Sequence, residues 1–465
     1  MVNGSIMLPE GFIKRIQTQR YIDPEHLLRA LGEPSPVSIR INKTKWNHKP
    51  LSSKPVPWSA TGYYLEARPS FTLDPLFHSG CYYPQEASSM FIEQAFRQHA
   101  GKSGRIKVLD LCGAPGGKST LLSDIIGPDS LLVSNEVIRS RASVLSETLT
   151  KWGAGNVLVT QSDPSAFSSL TEYFDVILVD APCSGEGMFR TEVARNEWSE
   201  ANTVHCAERQ RRILNDIWPS LKKDGLLIYS TCTFNPAENE ENIKWLIEKQ
   251  KAYSLAMDLS GFRGIQEIEL SSVKGYGFYP YKTEGEGFFM AVVRKTEGLG
   301  NTNLHSTRSG DLKPSNREIE AVRNWIIGDP RRLIKKGDDI WLLPCNPDEY
   351  ARLFKHLRVI KAGTRIAAVK SNDYLPAHDL AISSLAGDKN FPCTELNYND
   401  AVAFLRRDNI NTRPDSRGWN LVSFMGVNLG FVNILEKRLN NYFPVEWRIR
   451  MNVPANSNKG LIKWE

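Results

Sequence analysis

The chain has 465 residues, 41% hydrophobic and 24% charged, which excludes a globally disordered or fibrous protein and suffices for about three domains. No run of about 18 apolar residues occurs, so no membrane-spanning helix is expected. The net charge is +6 and uneven: residues 401–465 carry ten basic against five acidic side chains, which suits a polyanionic partner or a well-solvated face.

Seven cysteines with no CxxC pair and no Cys/His cluster argue against a disulfide framework or a zinc ribbon. The first nine residues lack a basic stretch ahead of an apolar one, so no secretory leader is expected. Both features fit a reducing, cytoplasmic setting.

Residues 1–100 mix strand-like runs, such as 37–41, with turn-rich stretches around Pro50, Pro55 and Pro57. From 101 to 295, short apolar runs alternate with amphipathic stretches. Runs at 105–111, 131–135, 156–160, 174–180 and 225–231 read as strands buried on both faces. Between the last two, residues 207–222 read as a helix with an apolar stripe of Ile213, Leu214, Ile217, Trp218 and Leu221. Pro219 is expected to kink it or end it early. This alternation implies a doubly wound α/β sheet.

Runs at 276–281 and 287–294 read as an antiparallel hairpin closing the sheet. Residues 296–316 are rich in Gly, Ser, Thr and Asn and read as a linker. Residues 317–385 read as a small α/β piece. Beyond it, strand-like runs 420–424 and 430–434 flank Gly426-Val427-Asn428-Leu429.

The first strand runs into Cys112-Gly113-Ala114-Pro115-Gly116-Gly117-Lys118-Ser119-Thr120, which opens a helix. Glycines let the backbone approach a ligand, and the helix start offers unpaired N–H groups. A phosphate-binding Walker loop needs glycine five residues before Gly117, but that position is Cys112. The hydrophobic run ending at Asp180 keeps a nucleotide hydrolase in view, although the loop spacing disfavours it. An adenosine cofactor across the strand ends fits better. Glu136, after the second strand, would accept the ribose hydroxyls, and Asp163, after the third, would meet the adenine. A helix cap is the plainer use of Asp163.

Asp180-Ala181-Pro182-Cys183-Ser184-Gly185 follows the fourth strand, and Ser230-Thr231-Cys232-Thr233 ends the fifth. Two thiols at the ligand-binding edge suit methyl transfer to a pyrimidine carbon. A thiolate adding to carbon 6 of cytosine makes carbon 5 able to attack a methyl sulfonium. Asp180 stands where a carboxyl group could serve N3, and Lys118 with the loop dipole favours a thiolate. Position alone does not rank Cys232 over Cys183.

These three stretches resemble the Nop/Sun family of RNA cytosine-5 methyltransferases. So do Ser38-Ile39-Arg40-Ile41-Asn42, Tyr83-Pro84-Gln85-Glu86-Ala87-Ser88-Ser89 and Asn235-Pro236-Ala237-Glu238-Asn239-Glu240. The resemblance spans nearly the whole chain, and the tail is similar to the PUA-like module of RsmF-type bacterial enzymes. It implies a Rossmann-like methyltransferase sheet at 101–295, preceded by an α+β RNA-recognition segment at 1–100. A linker at 296–316, a small α/β intermediate domain at 317–385 and a PUA-like RNA-binding domain at 386–465 would follow.

The resemblance also implies S-adenosylmethionine-dependent methylation of small-subunit ribosomal RNA, free or within the 30S subunit; no metal is expected, and a monomer is the default where the sequence is silent. Cys232 would be the nucleophile, Cys183 would help release product, and Asp180 would contact cytosine and cofactor. Cys112, Gly113, Ala114, Pro115, Gly116, Gly117, Lys118, Glu136 and Asp163 would line the cofactor with Asp180, and Lys118 would also face the cytosine. Gly113 departs from the family's frequent alanine, a change expected to loosen the loop slightly without harm. Transfer RNA as substrate, or an inactive assembly factor, are the rival readings; four intact catalytic features argue against the latter.

An unpaired cytosine must reach the pocket, so RNA contacts are sought nearby. Arg190, Arg195 and Trp198 are candidates for backbone contact and stacking. Arg209, Arg211 and Arg212 are expected on a solvated helix face within reach of phosphate. In the tail, Lys437, Arg438 and the alternating strand-face cations Arg448 and Arg450 are phosphate candidates.

Overall fold

The computed structural model describes residues 7–101, 104–298, 312–371, 373–387, 390–412, 416–436, 438–454 and 460–465. Its centre is a ten-stranded mixed sheet. Five parallel strands form the middle: β1 (Lys107–Asp110), β2 (Leu131–Asn135), β3 (Val157–Thr160), β4 (Phe174–Asp180) and β5 (Leu221–Thr231). They lie in the order β3-β2-β1-β4-β5, all parallel. The order reverses between β1 and β4, so the carboxyl ends of these two strands flank the crevice where such sheets bind ligands.

The far edge is antiparallel. β6 (Ala252–Ser254), β7 (Gln266–Leu270), β8 (Val273–Phe278) and β9 (Phe288–Lys295) extend the sheet, with β9 paired to β5 and β8 paired to β9. The β8–β9 pair is the expected hairpin, but its first strand starts at Val273 and ends at Phe278, and β7, paired to β8, closes the sheet instead.

Helices cover both faces. α1 (Gly117–Ile125) and α2 (Arg139–Trp152) bury Leu121, Leu122, Leu145 and Leu149 on one face, together with Trp58, Phe91 and Phe96 from the N-terminal region. α3 (Glu200–Ile217) and α4 (Glu240–Lys249) bury Ile213, Leu214, Ile217, Ile243 and Leu246 on the other. α3 corrects the expected span of 207–222. Ser199 caps it by accepting from the Asn202 amide at 3.1 Å. The helix stops at Ile217 because Pro219 cannot donate to the ladder. Leu221 and Lys222 already belong to β5, where Leu221 pairs with Phe174.

Ahead of the central sheet, helices Glu10–Ile16 and Pro24–Leu31 lead into a four-stranded sheet centred on Val37–Ile41. Its fully buried Arg40 ties this sheet to the central one. The guanidinium donates to Gln85 at 3.0 Å and to Asp124 on α1 at 2.6 Å, and stacks 4.5 Å over Trp152 on α2. Removing one partner of a buried pair is costly. Arg40→Met is therefore expected to destabilise the protein by about 3 kcal/mol, measured by urea unfolding followed by circular dichroism.

Residues 312–385 do not stand apart from the central sheet. A second antiparallel sheet runs from Leu333–Lys336 to Asp373–Pro376. Helix Pro347–His356 buries Tyr350 and Leu353 in the same core as α3. β10 (Val359–Lys361) pairs antiparallel with β3. Residues 299–311 of the expected linker lie outside the described residues.

The final sheet holds Cys393–Glu395, Gly418–Phe424, Val427–Ile434 and Leu439–Asn441. Its hairpin is tighter than the expected loop. Only Met425 and Gly426, at φ +51° and +76°, turn the chain, and Val427, Asn428 and Leu429 are in the strand. Among the described residues no helix is long and apolar enough to cross a membrane.

Candidate active site

The carboxyl edge of the central sheet opens into a cleft of about 600 Å³. Its lining gathers Cys112, Glu136, Asp163, Asp180, Cys183 and Cys232 from the ends of five strands. Gly113, Ala114, Pro115, Gly116, Gly117 and Lys118 are not in that lining; they form the turn behind Cys112 and the start of α1.

The turn is shaped by packing. Gly116 has φ +118°, and a Cβ there would come 2.6 Å from Thr148 on α2, so only glycine fits. The Ala114–Pro115 bond is cis. The Gly113 amide donates to the Asn135 carbonyl at 2.7 Å. A Cβ on Gly113 would lie 2.5 Å from Ser134 Oγ. Ser134 Oγ in turn meets Ser119 Oγ at 2.7 Å, and Ser119 donates to Asp110 at 2.6 Å. Hydroxyl groups thus fill the space an alanine methyl would take, and the expected slack at Gly113 is absent.

Asp110 is fully buried beneath this turn, and burial pushes its carboxyl up to about 7. Its Oδ1 has no hydrogen-bond partner among the described residues. Burial likewise pushes the Cys112 thiol upward, which makes it an inert part of the wall.

Glu136 follows β2 and is almost fully buried. It accepts from the Ile138 amide at 3.0 Å and lies 3.4 Å from Arg141. Arg141 also donates to the Ala114 carbonyl at 3.0 Å, joining the β2 acid to the glycine turn. That link spans two separate loops and leaves no pattern in the sequence. Asp163 caps the turn Pro164–Ser169, accepting from the Ser165 hydroxyl and amide, which hold its carboxyl below the usual range. It serves as a cap and faces the cleft as well.

This donor set fits an adenosyl cofactor. The carboxylate that follows β2 suits a ribose diol and Asp163 suits an amino group, and both line the cleft beside Cys112.

The two thiols meet. Cys183 Sγ lies 3.2 Å from Cys232 Sγ, unbonded, and the Cys232 amide approaches Cys183 Sγ at 3.3 Å. The Cys232 contact and burial together hold the Cys183 thiol well above its ordinary value. The residues that follow each cysteine are tied together. Ser184 Oγ meets Thr233 Oγ1 at 2.9 Å and donates to Glu238 at 2.5 Å. Glu238 also accepts from the Ser184 amide at 2.9 Å and from Gln210 on α3 at 3.0 Å. Burial pushes the Glu238 carboxyl up to about 7.

Beside the thiols, Lys118 Nζ sits 2.8 Å from Asp180 Oδ2, and Ser230 donates to Asp180 Oδ1 at 2.8 Å. Burial opposes the charge on Lys118, but Asp180 outweighs it and holds the amine above the ordinary lysine value.

The RNA candidates fare unevenly. Arg190 is buried and donates to the Ala30 and Gly285 carbonyls and to Glu286. Arg195 donates to the Phe189 carbonyl, and Trp198 donates to Glu186 at 3.0 Å and packs on Phe189. These three side chains hold the Cys183 loop in shape and are not free platforms. Arg211 is spent on Asn242 and Trp245. Arg209 and Arg212 remain exposed on the cleft wall. Arg448 and Arg450 flank the buried Ile449 but lie outside any strand, contrary to expectation. Arg438 is exposed, and Lys437 lies outside the described residues.

Three family models match the chain in succession. They are the N-terminal domain of 16S rRNA methyltransferase RsmF at residues 8–87, 16S rRNA methyltransferase RsmB/F at 101–294, and the methyltransferase RsmF PUA domain at 391–449. A Klebsiella pneumoniae protein named ribosomal RNA small subunit methyltransferase F is 30% identical, covering 96% of this chain and 98% of its own. The chain belongs to the 16S rRNA methyltransferase RsmB/F family. An Aliivibrio fischeri protein of the same name is 29% identical over the same shares. The crystal structure of PH0851, 22% identical, aligns with a TM-score of 0.56 over 62% of this chain and 66% of its own, and shares the fold. As a member of this family the chain is an S-adenosylmethionine-dependent methyltransferase with an RsmF-type N-terminal domain and a PUA domain.

Proposed function

We propose that this chain methylates carbon 5 of a cytosine in 16S ribosomal RNA through a transient Cys232–cytosine bond. The observation that carries this reading is the 3.2 Å approach of two thiols at successive strand ends, beside the Lys118–Asp180 pair. RNA binding alone requires none of these groups. The substrate class follows from the shared name of relatives that match from end to end.

S-adenosylmethionine, when bound, supplies an electrophilic methyl group. Glu136, Asp163 and Cys112, which line the cleft, would hold it with the turn that follows Cys112, and the paired Lys118 and Asp180 would face the base. Cys232 Sγ adds as thiolate to carbon 6, and the Lys118 cation favours that anion. Asp180, hydrogen-bonded to Lys118, would relay a proton from the ammonium to N3, where negative charge develops, and take it back when the thiolate departs. Carbon 5 would then take the methyl group, whose bond to the sulfonium sulfur breaks to leave a neutral thioether, and the carbon 5 proton would pass to water. The Cys232–carbon 6 bond breaks, and Cys183, which keeps its proton, stabilises the departing thiolate through S–H.

Labelled S-adenosylmethionine offered with 30S subunits, naked 16S ribosomal RNA and bulk transfer RNA tests this. Labelled 5-methylcytidine from the ribosomal samples alone is the expected result. Label in transfer RNA alone would overturn the substrate class, and a different labelled nucleoside would overturn the chemistry.

A further inference from the structure

We propose that Arg15, in the last turn of helix Glu10–Ile16, and Gln19, three residues beyond it, are positioning residues that set the distance between the two catalytic thiols. This rests on the cytosine-5 reading of the cleft. A continuous polar chain runs between the two cysteine loops. Glu186, three residues after Cys183, accepts from Arg15 at 2.5 Å. Arg15 donates to Gln19 Oε1 at 2.8 Å, which orients the Gln19 amide. Gln19 then donates to the carbonyl of Phe234, two residues after Cys232, at 2.6 Å.

The contact is built rather than incidental. Glu186 has no exposed side-chain surface, so its charge demands a partner, and Arg15 is its only ion-pair partner among the described residues. Trp198 satisfies the other carboxylate oxygen at 3.0 Å. Phe12, on the same helix, packs edge-on against Phe189 at 4.9 Å and lies 6.5 Å from Phe234, so it touches both loops. Between the loops the backbone makes one direct bond, from the Gly187 amide to the Cys232 carbonyl at 2.8 Å. Ser184, Thr233 and Glu238 brace the pair from the α3 side; Arg15 and Gln19 brace it from the N-terminal side. A sub-ångström drift in the thiol separation weakens the S–H contact on which release depends.

Arg15→Met, Arg15→Lys, Glu186→Gln and Gln19→Met would be assayed on 30S subunits, with circular dichroism to verify folding. In Arg15→Met, kcat is expected to fall by about 10²-fold, the cost of misplacing a catalytic group, with KM for RNA within twofold of the parent. Gln19→Met, which removes a half-exposed amide and no charge, is expected to lower kcat in the same sense. Arg15→Lys, lacking the second donor, restores only part of the loss. Adding Glu186→Gln to Arg15→Met is expected to cost little more, since both break one link. An unchanged kcat with raised KM in Arg15→Met and Gln19→Met would make the helix an RNA contact and overturn the proposal. Failure of the parent protein to form 5-methylcytidine would instead overturn the underlying reading.

Discussion

Cys232→Ser is expected to lower methyl transfer to the level of the reaction without enzyme. A serine hydroxyl is not ionised near neutral pH, so it cannot add to carbon 6, and without that addition carbon 5 stays a poor nucleophile. The substitution changes one atom of a side chain that meets Cys183 Sγ, and the backbone carbonyl that receives the Gly187 amide is untouched. The fold and cofactor affinity should therefore survive. Turnover on 30S subunits beside equilibrium binding of S-adenosylmethionine measures both. Retained turnover in this variant would remove Cys232 from the mechanism.

Asp180→Asn is expected to reduce kcat by about 10²- to 10⁴-fold, the range for losing a positioned proton-handling group. The change also reaches Lys118. In the parent, burial lowers the lysine's affinity for its proton and Asp180 more than restores it. With Asp180 neutral, the largest opposition to burial is lost and only the weaker pulls of Cys232 and Asp110 remain, so the amine loses its charge at lower pH. The alkaline limb of the kcat profile should therefore move to lower pH in Asp180→Asn. An alkaline limb that does not move would separate Lys118 from the reaction.

Much of the methyltransferase sheet was legible because its strands are buried on both faces. The runs at 131–135 and 174–180 coincide with β2 and β4. Pro219 also announced a break, though its consequence, a strand beginning at Leu221, depends on pairing with Phe174. β10 was not legible: three residues carry no periodicity, and their strand character comes from pairing with β3. The two cysteines could be read at strand ends because topology places such ends along one edge. The fates of Arg190 and Trp198 could not be read, since their partners Ala30, Gly285 and Glu186 reach them only through the fold. Glu238 lies in a stretch that carries the family resemblance, yet its bond to Ser184 spans 54 positions. The link from Arg15 to Glu186 spans 171, beyond any local pattern.

The central claim is a covalent Cys232–cytosine bond resolved with the help of Cys183. Its most direct test incubates Cys183→Ser with S-adenosylmethionine and 30S subunits, then resolves protein and RNA on a denaturing gel. A retarded protein–RNA species is predicted, and after digestion the nucleotide should be found on the peptide carrying Cys232. The Cys232→Ser variant should give no such species. An adduct trapped by Cys232→Ser, or a nucleotide attached elsewhere, would contradict the assignment of the two thiols.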